Sequence, residues 1–517
     1  MTQGQSDATR GAWKSRVGFI LAASGSAIGL GNIVFFGANA YKFGGGAFYV
    51  PYLIALFVVG IPVMMIEFGL GSKTGLGFPA ALGQLTGKAG ELVGWWALLN
   101  ASIITMYYIT LLGWVLGMLV GAFGPLWQPS HPTPGYAMES LDNPHGYFFA
   151  TLSSPSVLIF VALVWLANIA ICSKGTKSIE ATVKFFVPAM WVTMAALIVR
   201  GLTLPNGIDG VLYLFTPDFR IMAEPEVWRG AFGQIFFSLS LGFGLLTAYA
   251  SYLPKDAHTN RFAVQTALMN CSFEYIAGFA IFSMLFAFAI VPKASTLSMS
   301  FFVLPQGIAE LPAGVAFFGV LFFFLLLIAG LSSSISLIEG IAAAALDKFG
   351  WSRAKVLAVT FAVGLLGSIN FALPKIIDPA LNQNGTLGLT LLDLFDNKAF
   401  GYGLLLVGLA ECILLGWIYG AKRFARDLWG EGPLSLRGHA FVWAIKFVIP
   451  GALLSLVGAA AWEELNAGWY GSALVAPGAI GRAGWEWLAW AVPLVWLLFT
   501  TAGAAILTFA RGKEAAS

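Results

Sequence analysis

Residues Ser24-Gly25-Ser26-Ala27-Ile28-Gly29-Leu30-Gly31-Asn32 interrupt an otherwise apolar segment, and Phe237-Ser238-Leu239-Ser240-Leu241-Gly242-Phe243-Gly244 interrupt a second one far downstream. Glycine weakens a helix interior by about 1 kcal/mol relative to alanine. The close spacing of Gly25, Gly29 and Gly31 therefore favours an unwound stretch. Inside a bilayer, backbone released from a helix is tolerated only where it lines a cavity enclosed by protein. One such run reads equally well as a small-residue helix-packing face. Two runs, five helices apart, suit a pair of inverted repeats whose broken helices meet at a midplane site. Half-helix N-termini there offer N–H groups to a carboxylate, and half-helix C-termini offer carbonyls to cations.

Composition supplies the bilayer. Of 517 residues, 58% are hydrophobic and 10% charged, against roughly 25% charged in soluble domains. Too few charges remain to coat a water-exposed surface. Spans of about 20 apolar residues fall near 14–40, 46–71, 93–124, 155–173, 180–200, 229–253, 261–291, 314–346, 354–373, 397–420, 440–463 and 486–510. The sequence thus predicts an all-α integral membrane protein of twelve transmembrane helices. Its parts are a tail at 1–13, five-helix repeats at 14–200 and 201–423, and two added helices and a tail at 424–517. Most of the 28 Lys and Arg residues lie in the N-terminal tail and alternate loops, while the loop at 125–154 has none. The positive-inside rule places both termini in the cytoplasm.

Several function classes drop out. Net charge is +3, with no basic run long enough for nucleic acid. Cys172, Cys271 and Cys412 lie beside or within apolar runs, so no disulfide framework is expected. His131, His145, His258 and His439 are scattered without metal-ligand spacing, and no phosphate loop or buried nucleophile–base pair points to an enzyme. Short termini and cysteine-free loops predict a bacterial inner (plasma) membrane protein surrounded by membrane lipid.

Five stretches carry a resemblance: WKSRVGFILAASGSAIGLGN at 13–32, GGGAF at 44–48, GQIFFSLSLGFG at 233–244, AYASY at 248–252 and AGLSSSIS at 329–336. Together they resemble the neurotransmitter:sodium symporter family, most closely its bacterial leucine-transporter-like amino-acid branch. The resemblance implies sodium-coupled symport by alternating access, with two sodium ions. One ion would use the Ala27 carbonyl, the side chains of Asn32, Ser238 and Asn270, and the substrate carboxylate. The other would use carbonyls of Gly25, Ile28 and Ala329 with the hydroxyls of Ser332 and Ser333. Read alone, those two serines are equally well back-bonded helix hydroxyls.

Substrate positions carry over likewise. Ala27, Gly29, Gly31 and Ser238 would border the ligand, and Tyr108 would hydrogen-bond its carboxylate. Ile104, one turn before Tyr108, would form a wall with Phe237, Ser240, Phe243, Ser333 and Leu337. Relatives carrying monoamines place an aspartate at the position of Gly29, so this substrate should bring its own carboxylate. An apolar side pocket implies a neutral amino acid, small or aliphatic. A cationic amino acid or other zwitterion using Asp396, or a transport-dead sensor with the same fold, remain the alternatives.

The gates follow from the same resemblance. Asp347 would pair with Arg10 to close the inner side, beside Trp13, Ser251, Tyr252 and Glu339. Glu274 lies one turn after Asn270, where chloride-dependent relatives have serine, so chloride independence is expected. Glu67 and Glu411 read as buried structural acids. One departure concerns the outer gate. Where the family has Val-Trp-Arg-Phe-Pro after Gly-Asn, this chain has Ile33-Val34-Phe35-Phe36-Gly37. Phe35 replaces the arginine that would meet Asp396. That carboxylate would then be solvated, pair with Lys42 or Lys398, or receive a cationic group of the substrate.

Overall fold

The computed structural model describes residues 11–128, 130–132, 140–142, 144–254, 257–291, 296–377, 387–430, 432–476 and 484–512. In chain order its helices are α1 (Arg16–Ala27), α2 (Gly31–Lys42), α3 (Gly45–Thr74), α4 (Phe78–Thr86), α5 (Lys88–Gly121), α6 (His145–Ser153), α7 (Ser156–Cys172), α8 (Thr176–Leu202) and α9 (Gly207–Phe215). There follow α10 (Pro225–Ser238), α11 (Leu245–Ala250), α12 (Thr259–Ala287), α13 (Met299–Ala309), α14 (Val315–Phe349) and α15 (Arg353–Ile377). The last are α16 (Leu387–Ile418), α17 (Ala421–Trp429), α18 (Leu436–Asn466) and α19 (Leu488–Phe509). A small antiparallel hairpin pairs Ser130–Pro132 with Ser140–Asp142.

Among the described residues, nine helices are long and apolar enough to cross a membrane, and two bent pairs, α1 with α2 and α6 with α7, raise the number to 11. The chain is therefore a multi-pass membrane protein. The sixth expected span is split into α10 and α11, of 14 and 6 residues, each too short to cross alone. The tenth begins at Leu387, ten residues before the expected start. Its first turns carry Asp393, Asp396 and Lys398, whose polarity hides the helix in sequence. Each of the three finds a side-chain partner in the fold.

Both breaks lie where the glycines place them. Helix α1 ends at Ala27, and Ile28 leaves helical geometry at φ −73° and ψ 96°. Helix α2 then restarts at Gly31 with its axis turned by 59°. Between α10 and α11 the backbone passes through φ +55° at Ser240, +78° at Gly242 and +74° at Gly244. A Cβ on Gly242 would stand 2.7 Å from the Leu404 carbonyl, so this turn needs glycine for space as well as for conformation.

Packing surrounds the breaks. Helix α1 lies against α8, α12 and α14, and α11 against α3 and α14. In the apolar windows of α3, α5 and α12, 67% of residues are buried, against 28–33% in α8, α15, α18 and α19. The outer helices turn residues such as Val192, Leu366 and Ile506 outward, as a lipid-facing surface requires. Ser15 caps α1 through the Gly18 N–H, while the Ser15 hydroxyl and the Lys14 N–H reach Glu180 on α8. Both ends of the chain approach the C-terminal part of α14. The Trp13 N–H bonds the carbonyl of Tyr252, whose hydroxyl reaches Glu339, and Lys348 bonds the Thr508 carbonyl.

The closest approach of α3 to α11 is at Gly71, where a Cβ would collide with the Thr247 carbonyl. Gly71→Ala should lose about 1–3 kcal/mol through overpacking, read as a lower thermal unfolding midpoint in detergent. Gly451→Ala, which enters open space on α18, should leave that midpoint unchanged or slightly raised.

Candidate functional site

The two breaks border one cavity of about 130 Å³. Its polar wall is Ser26, Asn32, Tyr108, Ser238, Ser240 and Ser333. Its apolar wall is Ile104, Phe237, Phe243, Leu337, Phe35 and Phe400. Ala27, Gly29 and Gly31 also line it, with Leu30, Gln234, Leu245 and Ser336, so every residue expected to border the substrate lies along this cavity. Gly29 has little room for a side chain. A Cβ there would stand 2.9 Å from the Ser333 hydroxyl and 3.0 Å from that of Tyr108.

A chain of buried hydrogen bonds leaves the cavity. The Asn32 side-chain nitrogen donates to Ser238 at 3.1 Å and to Asn270 Oδ1 at 2.8 Å, and Asn270 donates to Ser238 at 2.7 Å. Ser238 then donates to Glu274 at 2.8 Å. Tyr52 donates to the same Glu274 oxygen at 2.5 Å, and Gln234 donates to the other. Asn39 in turn orients Gln234. Three donors from two helices, α3 and α10, thus converge on the fully buried carboxylate of Glu274 on α12. Asn32 Oδ1 holds the Gly29 N–H at 2.9 Å, and the Tyr108 hydroxyl accepts from the Leu30 N–H at 3.4 Å. Side chains thereby occupy the N–H groups that the break releases.

A second polar cluster lies between α1 and α14. Ser332 Oγ contacts the Ala329 carbonyl at 2.8 Å and the Ile28 carbonyl at 3.4 Å. Ser333 Oγ contacts the Ser26 carbonyl at 2.9 Å and that of Ala329 at 3.4 Å. Both serines are thus back-bonded within α14 and also contact carbonyls at the break of α1. Gly25 faces Ser332 across the same interface. All donors are neutral oxygens, the set a hard monovalent cation prefers. Among the described residues, no group of three His, Cys, Asp or Glu could hold a metal ion.

Near the N-terminal segment, a cluster of contacts forms around Trp13. The Trp13 indole donates to the Tyr249 carbonyl at 2.8 Å, and its ring packs against Tyr249 and Tyr252. Tyr252 donates to Glu339 at 2.6 Å, and Arg353 forms an ion pair with that buried carboxylate. Arg353 is a residue that sequence reading left among the loop charges. Asp347 accepts the Gly77 N–H at 2.7 Å. Its expected partner, Arg10, lies outside the described residues.

The opposite side departs from expectation. Asp396 pairs with neither lysine. Lys42 binds Glu226 at 2.7 Å, and Lys398 binds Glu464 at 2.6 Å. Asp396 instead accepts the Tyr107 hydroxyl at 2.7 Å. Reading along one helix could not find this partner, because Tyr107 and Asp396 meet only through the packing of α5 on α16. Phe35 lines the cavity, and Phe400 stacks on Phe237 with ring centroids 4.2 Å apart. Phe400 had no sequence signal beyond lying one turn after Asp396.

Glu67 has a defined task. Its Oε1 accepts the Gly242 N–H at 2.8 Å, and its carbonyl accepts the Thr247 hydroxyl. The acid expected to be structural therefore pins the second break to α3.

The chain matches the family model described as the Sodium:neurotransmitter symporter family over residues 10–131 and 149–510. It is 38% identical to an uncharacterized sodium-dependent transporter of Methanocaldococcus jannaschii, with 80% of this chain and 83% of that one covered. It is 28% identical to the sodium- and chloride-dependent GABA transporter 2 of Rattus norvegicus, over 83% of this chain and 77% of the relative. Its fold is similar to the crystal structure of MhsT in complex with L-phenylalanine. The TM-score is 0.74 and the identity 30%, covering 87% of this chain and 100% of that one.

Glu67→Ala should leave the Gly242 N–H without a partner at membrane depth, at about 1–3 kcal/mol. Glu67→Gln keeps the acceptor oxygen and should retain most stability. Thermal unfolding of the two variants in detergent separates them; equal losses would show that the hydrogen bond to Gly242 is not what Glu67 provides.

Proposed function

This chain belongs to the sodium:neurotransmitter symporter family, a family of sodium-dependent transporters, and from that membership we propose that it imports a neutral, small or aliphatic amino acid together with sodium. Twelve crossings, two inverted five-helix repeats and cytoplasmic termini make up the working architecture. The observation that carries the reading is the continuous hydrogen-bonded chain from Gly29 through Asn32, Ser238 and Asn270 to Glu274 at the edge of the cavity. The amino acid in MhsT supports the substrate class.

In this scheme the substrate carboxylate lies at the break, against Tyr108 and the N–H groups of Gly29 and Leu30. Sodium is the co-substrate. One ion takes the Ala27 carbonyl and the side chains of Asn32, Ser238 and Asn270, and the other takes Gly25, Ile28, Ala329, Ser332 and Ser333. The Asn32 amide links ion and substrate. Turning it by half a revolution presents oxygen instead of nitrogen to the ion, and the same turn frees the Gly29 N–H for the carboxylate. Each ligand then raises the affinity for the other. Glu274, one hydrogen bond behind Ser238, supplies fixed negative charge, so chloride is not required. A neutral substrate suits Asp396, which is bonded to Tyr107 and is not among the residues lining the cavity. Trp13, Tyr252, Glu339 and Arg353 close the inner path.

Uptake into proteoliposomes tests the scheme. Uptake of labelled alanine should require an inward sodium gradient, fall to background in choline, and persist when gluconate replaces chloride. Asn32→Ala should raise the sodium half-saturation concentration about tenfold or more. Glu274→Ser should make uptake depend on chloride, whereas chloride-insensitive uptake by Glu274→Ser would refute the charge-balancing role.

A further inference from the structure

Aromatic rings rather than an ion pair stand on the Phe35 side of the cavity. Phe35 and Phe400 both line it. Phe400 stacks on Phe237 at 4.2 Å with 29° between the planes, and meets Phe243 edge-on at 6.2 Å. Each of the two lid residues sits in a π-helical turn, Gly31–Phe35 in α2 and Asn397–Leu404 in α16. Such turns carry one extra residue and recur at functional sites. In the second of them Lys398 goes to Glu464 while Phe400 goes to the cavity.

The volume of the cavity decides what fits beside the rings. An apolar cavity of about 150 Å³ takes one benzene, and this one measures about 130 Å³. Alanine has as many non-hydrogen atoms as benzene, leucine has half as many again, and phenylalanine has twice as many. We infer that Phe400, with Phe35, is a specificity-determining lid that limits the substrate to amino acids of about the size of glycine, alanine and serine. The inference rests on the amino-acid transport reading above and narrows it. Truncating Phe400 removes a ring, opening space of about one benzene. That space suffices for the side chain of leucine or phenylalanine.

Competition against sodium-dependent alanine uptake in proteoliposomes, with the full chain, reads this directly. In the wild type, glycine and serine should compete within a few-fold of alanine, and leucine and phenylalanine at least about tenfold more weakly. Phe400→Ala should raise the potency of leucine relative to alanine about tenfold or more, and the bulk-retaining Phe400→Leu should raise it less. Wild-type protein inhibited equally by leucine and alanine would overturn the inference and leave the transport reading standing. So would a Phe400→Ala variant that transports alanine with an unchanged ratio. Wild-type protein that takes up no amino acid with sodium would remove the transport reading itself. Should Phe400→Ala fail to fold, the wild-type ranking still decides, because a cavity bounded by these rings must place leucine below alanine.

Discussion

A peptide group without a helical partner in the middle of a bilayer must find one within the protein, since lipid offers none. Several polar contacts around the cavity answer that requirement. Asn32 takes the Gly29 N–H, Tyr108 the Leu30 N–H and Glu67 the Gly242 N–H, while Ser240 and Ser333 donate to the Ser26 carbonyl. The groups that stabilise the breaks are therefore the groups that can bind. An anion seeking N–H donors and a cation seeking carbonyls both compete with side chains that can turn aside. Structural satisfaction and ligand recognition use one set of atoms.

Charge is distributed on the same principle. Two of the fully buried carboxylates are treated differently. Glu339 pairs with Arg353 and accepts the Tyr252 hydroxyl. Glu274 meets only neutral donors, Tyr52, Gln234 and Ser238. Among the described residues lining the cavity there is no Arg, Lys, Asp or Glu, and Phe400 stacks on Phe237 there.

The breaks were legible because glycine spacing within a single segment carries them, and much of the cavity lining because it stands in short contiguous stretches around Asn32, Ser238 and Ser333. Partners brought together by tertiary packing were not legible. Tyr107 with Asp396, Gln234 and Tyr52 with Glu274, and Arg353 with Glu339 are pairs whose members belong to different helices. Polarity also misled at the start of α16. Asp393 and Asp396 fell outside the expected span, yet they are held by Tyr470 and Tyr107. Phe400 was hidden for the opposite reason, as one more aromatic residue in a chain containing 43 phenylalanines.

Coupling between ion and substrate through the broken first helix is open to an equilibrium measurement on purified protein. Alanine binding titrated at several sodium concentrations, and sodium binding titrated at several alanine concentrations, should give affinities that rise together by the same factor. An alanine affinity identical in sodium and in choline would contradict a site in which the two ligands meet.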